Sequence, residues 1–263
     1  MCGIAGYSLE PGSSLDRRLA AQALLTGIAE RGADAVGYAH RVASGPVSVH
    51  KQRSGASALL DSIDVPAEAT ELLVHVRDYT KGHPRIEANN HPVRHGAVVG
   101  IHNGIIFNDD EIMARHGFER DLPAMTVDSE AIFALAEEAG NRALALEELR
   151  GSLASAWLDE RRSGALFVAR GVGRPVWIGR GETGTFFAST LDALELLERC
   201  VSLDLEKREL AEGTLLVLER GRERRSERFR PDRHFDEVLL PAVRAPHEAR
   251  ACRQRLASLL SPT

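Results

Sequence analysis

The second half of the chain is built from short apolar segments that end at turns, most of which contain glycine. These segments read ASAWLDE, GALFVARG, PVWIGRG, TFFAST and GTLLVLERG, with one helical stretch, LDALELLERC, before the last of them. Strands joined by such short turns pair in an antiparallel manner, whereas parallel strands need a crossover of about a dozen residues or more. The sequence therefore predicts antiparallel sheets and an α+β fold class.

The first half adds strands, helices and one long polar loop. Residues 2–9 and the segments ELLVHVR and AVVGIHNGII predict strands, and AVGYAHRV with PVSVHKQ predicts a hairpin. Apolar spacing predicts helices in SLDRRLAAQALLTGIAERG, DSEAIFALAEEAG and NRALALEELRGSL. The loop over 78–96 is rich in glycine, proline and asparagine, and irregular loops of this length are usually functional or disordered.

Composition limits the classes of protein that this chain can join. It has 263 residues, a net charge of −5 and 43% hydrophobic residues, which suits a globular protein and argues against nucleic acid as a partner. With neither a signal peptide nor an apolar run of membrane length, we expect a cytoplasmic protein without membrane contact. Three widely spaced cysteines predict neither a disulfide framework nor a zinc site, and we expect no metal.

A cysteine directly follows the initiator methionine. Methionine is normally removed before a residue this small, so we expect the mature chain to begin at Cys2 with both a thiol and a free α-amine. An amine that titrates near ~7.7–8.0 can serve as the general base for a thiol that titrates near ~8.5. The alternative is that a small residue stands here only to permit processing.

Acyl transfer at such a thiol needs hydrogen-bond donors for the developing oxyanion. Asn103 can donate from its side-chain amide and Gly104 from its backbone N–H, and we expect a turn after the strand to expose both. The alternative is that Asn103-Gly104 is only a hairpin turn.

Two charged residues could bind the two ends of an amino acid. Arg77 ends a predicted strand, and arginine binds carboxylates in a bidentate manner. Asp128 precedes a predicted helix and could bind an ammonium group. Taken singly, Arg77 could be an exposed residue at a strand end and Asp128 a helix N-cap.

Taken together and in order, these stretches resemble a known family. MCGIAGY, ERGADAVGYA, HVRDYTKGHP, NNHPV, VVGIHNGIIFN and TVDSEAIF are similar to motifs of the class II glutamine amidotransferases, which are N-terminal nucleophile hydrolases. The likeness is greatest to the glutaminase domain of glucosamine-6-phosphate synthase, and it extends from residue 2 to about residue 220.

The resemblance implies a four-layer αββα sandwich with two antiparallel sheets. It implies hydrolysis of the glutamine side-chain amide through a thioester on Cys2, without a cofactor, and with Asn103 and Gly104 as the oxyanion hole. It assigns the α-carboxylate of glutamine to Arg77 and the α-ammonium to Asp128. Thr80 and Gly82 match positions of the glutamine-binding loop.

The chain departs from the family in that loop. An aromatic residue usually follows the arginine, where this chain has Asp78, and histidine often precedes the loop glycine, where it has Lys81. These changes leave the nucleophile, the oxyanion pair and the two charged residues intact. We therefore expect the glutaminase chemistry to be kept and its coupling to an ammonia acceptor to be altered.

The length of the chain suggests how the ammonia is used. We divide it into a glutaminase domain at 2–220 and a C-terminal extension at 221–263, which is a candidate for docking a partner or a stabilising tail. We expect a stand-alone glutaminase subunit that supplies ammonia to a separate synthetase or transferase chain. The alternatives are an N-terminal nucleophile hydrolase of another amide and a catalytically silent glutaminase-like module for binding or regulation.

Overall fold

Two antiparallel sheets and their covering helices form the core of the protein. The computed structural model describes residues 1–42, 45–236 and 241–260. The strands are β1 (Gly3–Leu9), β2 (Ala35–Val42), β3 (Ser48–Gln52), β4 (Ala69–Arg77), β5 (Val93–His95), β6 (Val98–Ile106), β7 (Gly151–Asp159), β8 (Ala165–Arg170), β9 (Trp177–Arg180), β10 (Gly184–Ala188), β11 (Glu206–Glu209), β12 (Thr214–Glu219) and β13 (Arg222–Arg228). The helices are α1 (Arg17–Ile28), α2 (Ala56–Leu59), α3 (Asp109–His116), α4 (Glu130–Glu138), α5 (Leu191–Val201) and α6 (Pro246–Leu260), with 3-10 helices at Ala29–Arg31, Glu87–Asn89 and Ala143–Glu148.

The described strands form one sheet of seven strands and one of six. The first sheet has the order β11-β9-β10-β1-β4-β2-β3, and the second has the order β13-β12-β8-β7-β6-β5. Each pair of neighbouring strands runs antiparallel. The predicted antiparallel α+β fold is therefore confirmed.

Three apolar cores separate four layers. Along β1 and β4 the side chains point alternately to the two faces of the sheet. Tyr7 and Val74 therefore pack in the helix-covered core of the first sheet, and Ile4 and Leu73 pack in the core between the sheets. That alternation is what a strand with side-chain period two requires when both of its faces are buried. Residues of α1, α5 and α6 pack outside the first sheet, and residues of α3 and α4 pack outside the second. This is the predicted αββα sandwich.

One predicted helix is wrong. The segment NRALALEELRGSL forms a 3-10 helix only over Ala143–Glu148, and β7 begins at Gly151. Its alanine, leucine and glutamate residues favour helix locally, but pairing with β6 outweighs that preference. Gly151 has φ +138°, and a Cβ there would lie 1.9 Å from the Ile105 carbonyl oxygen, so only glycine fits this close strand contact.

The residues beyond 220 continue the same layers. Residue 220 lies in the turn of the β12–β13 hairpin, and β13 forms the exposed, charged edge of the second sheet. Helix α6 buries Cys252 and Leu256 in the core of the first sheet. The proposed domain boundary and the docking role of 221–263 stay predictions. Among the described helices, none is long and apolar enough to cross a lipid bilayer.

Candidate active site

The N-terminus and the end of β4 meet at one edge of the sandwich. Gly3 pairs with Val76 across β1 and β4, which brings Cys2 next to the residue that follows β4. The Cys2 thiol lies 3.4 Å from both the backbone nitrogen and the carbonyl oxygen of Asp78. Arg31 fixes the backbone here, since its Nε donates to the Cys2 carbonyl oxygen at 2.8 Å.

Strand β6 supplies the facing wall. Cys2 has the same side-chain direction as Ile4, and Asn103 the same as Ile101, so each points into the space between the sheets. The link between the walls is His75, whose Nε2 donates to the His102 carbonyl oxygen at 3.0 Å. Burial lowers the pKa of His75 to about 3, so this histidine is neutral and serves as a hydrogen-bonding bridge.

A small cleft joins residues from both walls. Several residues singled out in the sequence line it, together with His91, His102 and Ser129: Cys2, Arg77, Thr80, Gly104 and Asp128. Gly82 lies at the turn of the adjoining loop with φ +79°. Asn103 precedes Gly104 in β6 but is not among the lining residues. The structure therefore brings most of the candidate residues to one place, while their individual roles stay predictions.

Asn103 and Gly104 do not lie in a turn. Both belong to the interior of β6, where they pair with Ala154 and Leu153 of β7. The expected exposure is wrong, because Asn103 is only 1% exposed. Its side-chain oxygen and nitrogen have no hydrogen-bond partner among the described residues. Buried amides are nearly always paired, so an unpaired one needs an explanation.

Gly104 has a steric reason to be glycine. Its φ is +150°, and a Cβ would lie 2.0 Å from the carbonyl oxygen of Ser152. The backbone of β6 therefore passes closer to β7 than any other residue would permit. This leaves the cleft side of Gly104 without a side chain that could block a substrate.

Arg77 is buried rather than exposed at a strand end. It is 2% exposed. Nη1 donates to Asn90 Oδ1 at 2.6 Å, and Nη2 donates to the carbonyl oxygens of Lys81 and Gly82. Arg77 thus holds the loop that follows it in a folded conformation. Sequence reasoning assigned no role to Asn90, whose only signal was its place in the NNHPV stretch.

Asp128 does not cap α4. Ser129 occupies the N-cap position and makes no side-chain capping bond. Instead, Asp128 Oδ2 accepts a hydrogen bond from the Ile106 backbone N–H at 2.7 Å, which ties it to the end of β6. Burial raises the pKa of Asp128 to about 6, with the Ile106 hydrogen bond acting in the opposite direction. A buried carboxylate of this kind is suited to bind a cation in the cleft.

The surroundings of the Cys2 thiol disfavour its ionised form. Burial raises the pKa of Cys2, while the Asp78 backbone hydrogen bond and the Arg77 charge lower it to a smaller extent. The thiolate is the reactive form, so a base must take the proton. Among the described residues, no group of three histidine, cysteine or acidic side chains could hold a metal ion.

Two ion pairs at the cleft were not predicted from the sequence. The carboxylate of Asp78 pairs with the amino terminus of Met1 and with Arg244 Nε, the latter at 3.0 Å. Lys81 Nζ lies 2.7 Å from Asp109 and 2.8 Å from Asp110 on α3. Asp78 and Lys81 are the two departures noted in the sequence, but nothing in the sequence indicated their partners.

Comparisons with known proteins show that the chain carries a glutamine amidotransferase domain. Residues 82–196 match a family model described as a glutamine amidotransferase domain. The glutamine–fructose-6-phosphate aminotransferase (isomerizing) of Methanothermobacter thermautotrophicus is 33% identical over 82% of this chain and 38% of its own length. The protein of the same name from Bacillus subtilis is 30% identical over 75% of this chain and 33% of its own length. The chain thus matches between 33% and 38% of the length of these relatives.

A solved structure shares the fold. The glutamine phosphoribosylpyrophosphate amidotransferase of B. subtilis, complexed with ADP and GMP, superimposes with a TM-score of 0.67 at 18% sequence identity. The match covers 86% of this chain and 49% of that one. At this identity the likeness supports the two-sheet architecture.

Proposed function

We propose that this chain, which carries a class II glutamine amidotransferase domain, hydrolyses the side-chain amide of glutamine with Cys2 as an N-terminal nucleophile. The observation that carries the proposal is the buried amide of Asn103, which has no partner among the described residues and directly precedes Gly104 in the lining of the cleft that contains Cys2. A donor kept free of protein partners is suited to an oxyanion that exists only during the reaction.

The proposed reaction begins once Met1 has been removed. The free α-amine of Cys2 takes the thiol proton, and Sγ attacks the amide carbon of glutamine. Asn103 Nδ2 and the Gly104 N–H stabilise the tetrahedral oxyanion. The amide nitrogen takes the proton and leaves as ammonia, which gives a thioester. Water, deprotonated by the same amine, then attacks the thioester and releases glutamate and the thiol.

The charged residues support a free amino acid as the substrate. We assign the α-ammonium of glutamine to Asp128 and its α-carboxylate to Arg77, with Thr80 and Gly82 in the loop that closes over it. A free amino acid carries both of these charges and a peptide-like amide does not, so the pair of charged residues favours glutamine over such an amide.

Glutamate release from glutamine tests the proposal. Protein with Met1 removed, as verified by intact mass, is compared with Cys2→Ala, and Cys200→Ala serves as a matched control for loss of a partly buried thiol. We expect release by the wild type and Cys200→Ala and none above background by Cys2→Ala. Release that persists in Cys2→Ala would exclude Cys2 as the nucleophile. No release even in a lysate of the source cells would favour a silent module.

We further propose that a synthetase or transferase on a separate chain, in the cytoplasm, receives the ammonia. Support comes from apolar side chains near the cleft: Tyr79 lines it and is 42% exposed, and Phe107, directly after the residue that holds Asp128, is 50% exposed. Exposed aromatic residues are typical of interfaces.

An isotope experiment tests the transfer. The tagged chain and a co-purified partner are supplied with amide-15N glutamine, and 15N is followed into the product of the partner and into free ammonium. We expect label in the product, and less of it for Tyr79→Ser and Phe107→Ser than for Leu259→Ser, an exposed control on α6. Label found only as free ammonium would contradict the transfer.

A further inference from the structure

The C-terminal segment of the described chain reaches the candidate active site. The backbone N–H groups of Arg244 and Ala245 both donate to the Glu30 carbonyl oxygen, at 2.9 and 2.8 Å. Glu30 lies beside Arg31, which fixes the Cys2 backbone. This anchor places the side chain of Arg244 against Asp78, where Nε donates to Oδ2 at 3.0 Å.

Asp78 connects Arg244 to the nucleophile. Its backbone nitrogen and carbonyl oxygen both lie 3.4 Å from the Cys2 thiol, and its carboxylate pairs with the amino group of Met1, one residue before Cys2. The carboxylate is 14% exposed and the Arg244 side chain 39% exposed, so the pair is only partly screened by water. In the described structure one carboxylate is therefore shared between the Met1 amine and a cation from the C-terminal segment. Removal of Met1 shifts the terminal amine by one residue, to Cys2, which leaves it within about 6 Å of the same carboxylate.

A carboxylate next to the terminal amine has a chemical disadvantage. The amine can act as a general base only in its neutral form, and a nearby negative charge stabilises the ammonium form. Each unit by which the amine pKa rises above the working pH removes about tenfold of the neutral base. The arginine on the same carboxylate opposes this effect, because its charge is permanent.

We propose that Arg244 is a positioning residue that acts through Asp78: it holds the carboxylate in place and offsets its charge near the Cys2 amine, so that the amine is available as the base. This inference rests on the proposed role of Cys2. It makes the C-terminal segment part of the active site of this chain. An aromatic residue in place of Asp78 would need no such partner.

Other charged or titratable groups also surround the terminus or face those that do. From the described elements packed around it, these are Glu30, Arg31, Asp34, Arg77, Tyr79, Lys81, His91, His102, Asp128 and Arg174. The substitutions below leave all of them unchanged, so their common contribution cancels between variants.

The test is a titration that does not depend on activity. Protein with 13C-labelled cysteine is released from a fusion by a protease that leaves Cys2 first, and the Cα and Cβ shifts of Cys2 are followed against pH. Cys2→Ser identifies the signals. For Arg244→Gln we expect the apparent pKa of the amine to rise by about 0.5–1 unit, because the carboxylate loses its cation. Arg244→Lys should stay near the wild type.

A second substitution separates charge from structure. In Arg244→Gln/Asp78→Asn, we expect the apparent pKa to return to or below the wild-type value, because the carboxylate is gone. Where glutamine is hydrolysed, the acid limb of kcat/KM should shift in parallel with the titration. Unchanged titration in Arg244→Gln would overturn the inference, even in a protein that releases glutamate. A shift in a protein that releases none would support the inference and contradict the glutaminase.

Discussion

The two walls of the cleft are held in different ways. The β6 wall, with Asn103, Gly104 and Asp128, is fixed by strand pairing and by the Ile106 N–H, and the side chains of Asn103 and Asp128 are buried. The wall formed by the loop after β4 is partly exposed and held by ion pairs of Asp78 and Lys81. Both departures from the family motif fall in the second wall. The difference indicates that the proposed oxyanion donors are held by strand pairing, while the loop can exchange its charged contacts.

Removing the donor of the sheet wall should have the largest effect. For Asn103→Ala we expect kcat for glutamate release to fall about 10²–10³-fold, because the oxyanion loses one donor. Its Tm should change little, because the lost amide makes no hydrogen bond in the described structure. Rates from glutamate assays and Tm from calorimetry check both statements.

Asn141 provides a matched control for Asn103. It is 2% exposed, and its side chain accepts from Trp157 Nε1 at 2.8 Å and donates to Asp159 Oδ2 at 2.7 Å. Asn141→Ala should lose about 1–3 kcal/mol of stability, because two buried partners are left unpaired, and keep the wild-type kcat. If Asn103→Ala lowers the stability of the protein and leaves kcat unchanged, Asn103 is a structural residue, and the distinction drawn between the two walls is wrong.

Removing the charge of the sheet wall should weaken substrate binding. We expect Asp128→Asn to raise KM for glutamine about 10–100-fold, since hydrogen bonds to charged groups contribute about 1.5–3 kcal/mol. The amide oxygen can still accept from the Ile106 N–H, so the local fold should persist. An unchanged KM would exclude Asp128 as the partner of the α-ammonium.

The pH dependence of the same variant gives an independent check. With a pKa of about 6, Asp128 becomes protonated as the pH falls below that value. Protonation of the amine alone gives log kcat/KM a slope of one against pH. In the wild type the slope should steepen toward two below this pKa, because Asp128 is also protonated, and in Asp128→Asn it should stay at one. Because folding raises this pKa, the ionised carboxylate costs stability as the pH rises through about 6. The Tm of Asp128→Asn at pH 8 should therefore not fall.

Substitutions in the loop wall should have the smallest effects on stability and KM. Lys81→Met removes ion pairs to Asp109 and Asp110, and Lys207→Met is a matched control because Lys207 pairs with Glu198 at 2.7 Å outside the cleft lining. Each should cost about 0–1 kcal/mol of stability, as partly exposed pairs do. Only Lys81→Met should raise KM, by a few-fold, since it loosens the glutamine loop. Equal KM values for both variants would remove the loop from substrate binding.

Local patterns identified most of the elements and the candidate residues. The alternation in β1 and β4 follows directly from which residues are apolar, and the helix over α5 follows from its apolar spacing. The stretch before β7 was misassigned, because its helical preference is local and its pairing with β6 is not. Burial of Arg77 and the sheet position of Asn103 likewise depend on strands that are distant in sequence.

By itself, the sequence determined the antiparallel α+β architecture and the residue types that the chemistry needs, because side-chain period, turn residues and motif order are local properties. Only the tertiary structure decided which groups share the cleft, that Asn103 has no partner among the described residues, and that Arg244 meets Asp78. Contacts between residues 78 and 244 depend on how helices and sheets pack, and no local pattern records that packing.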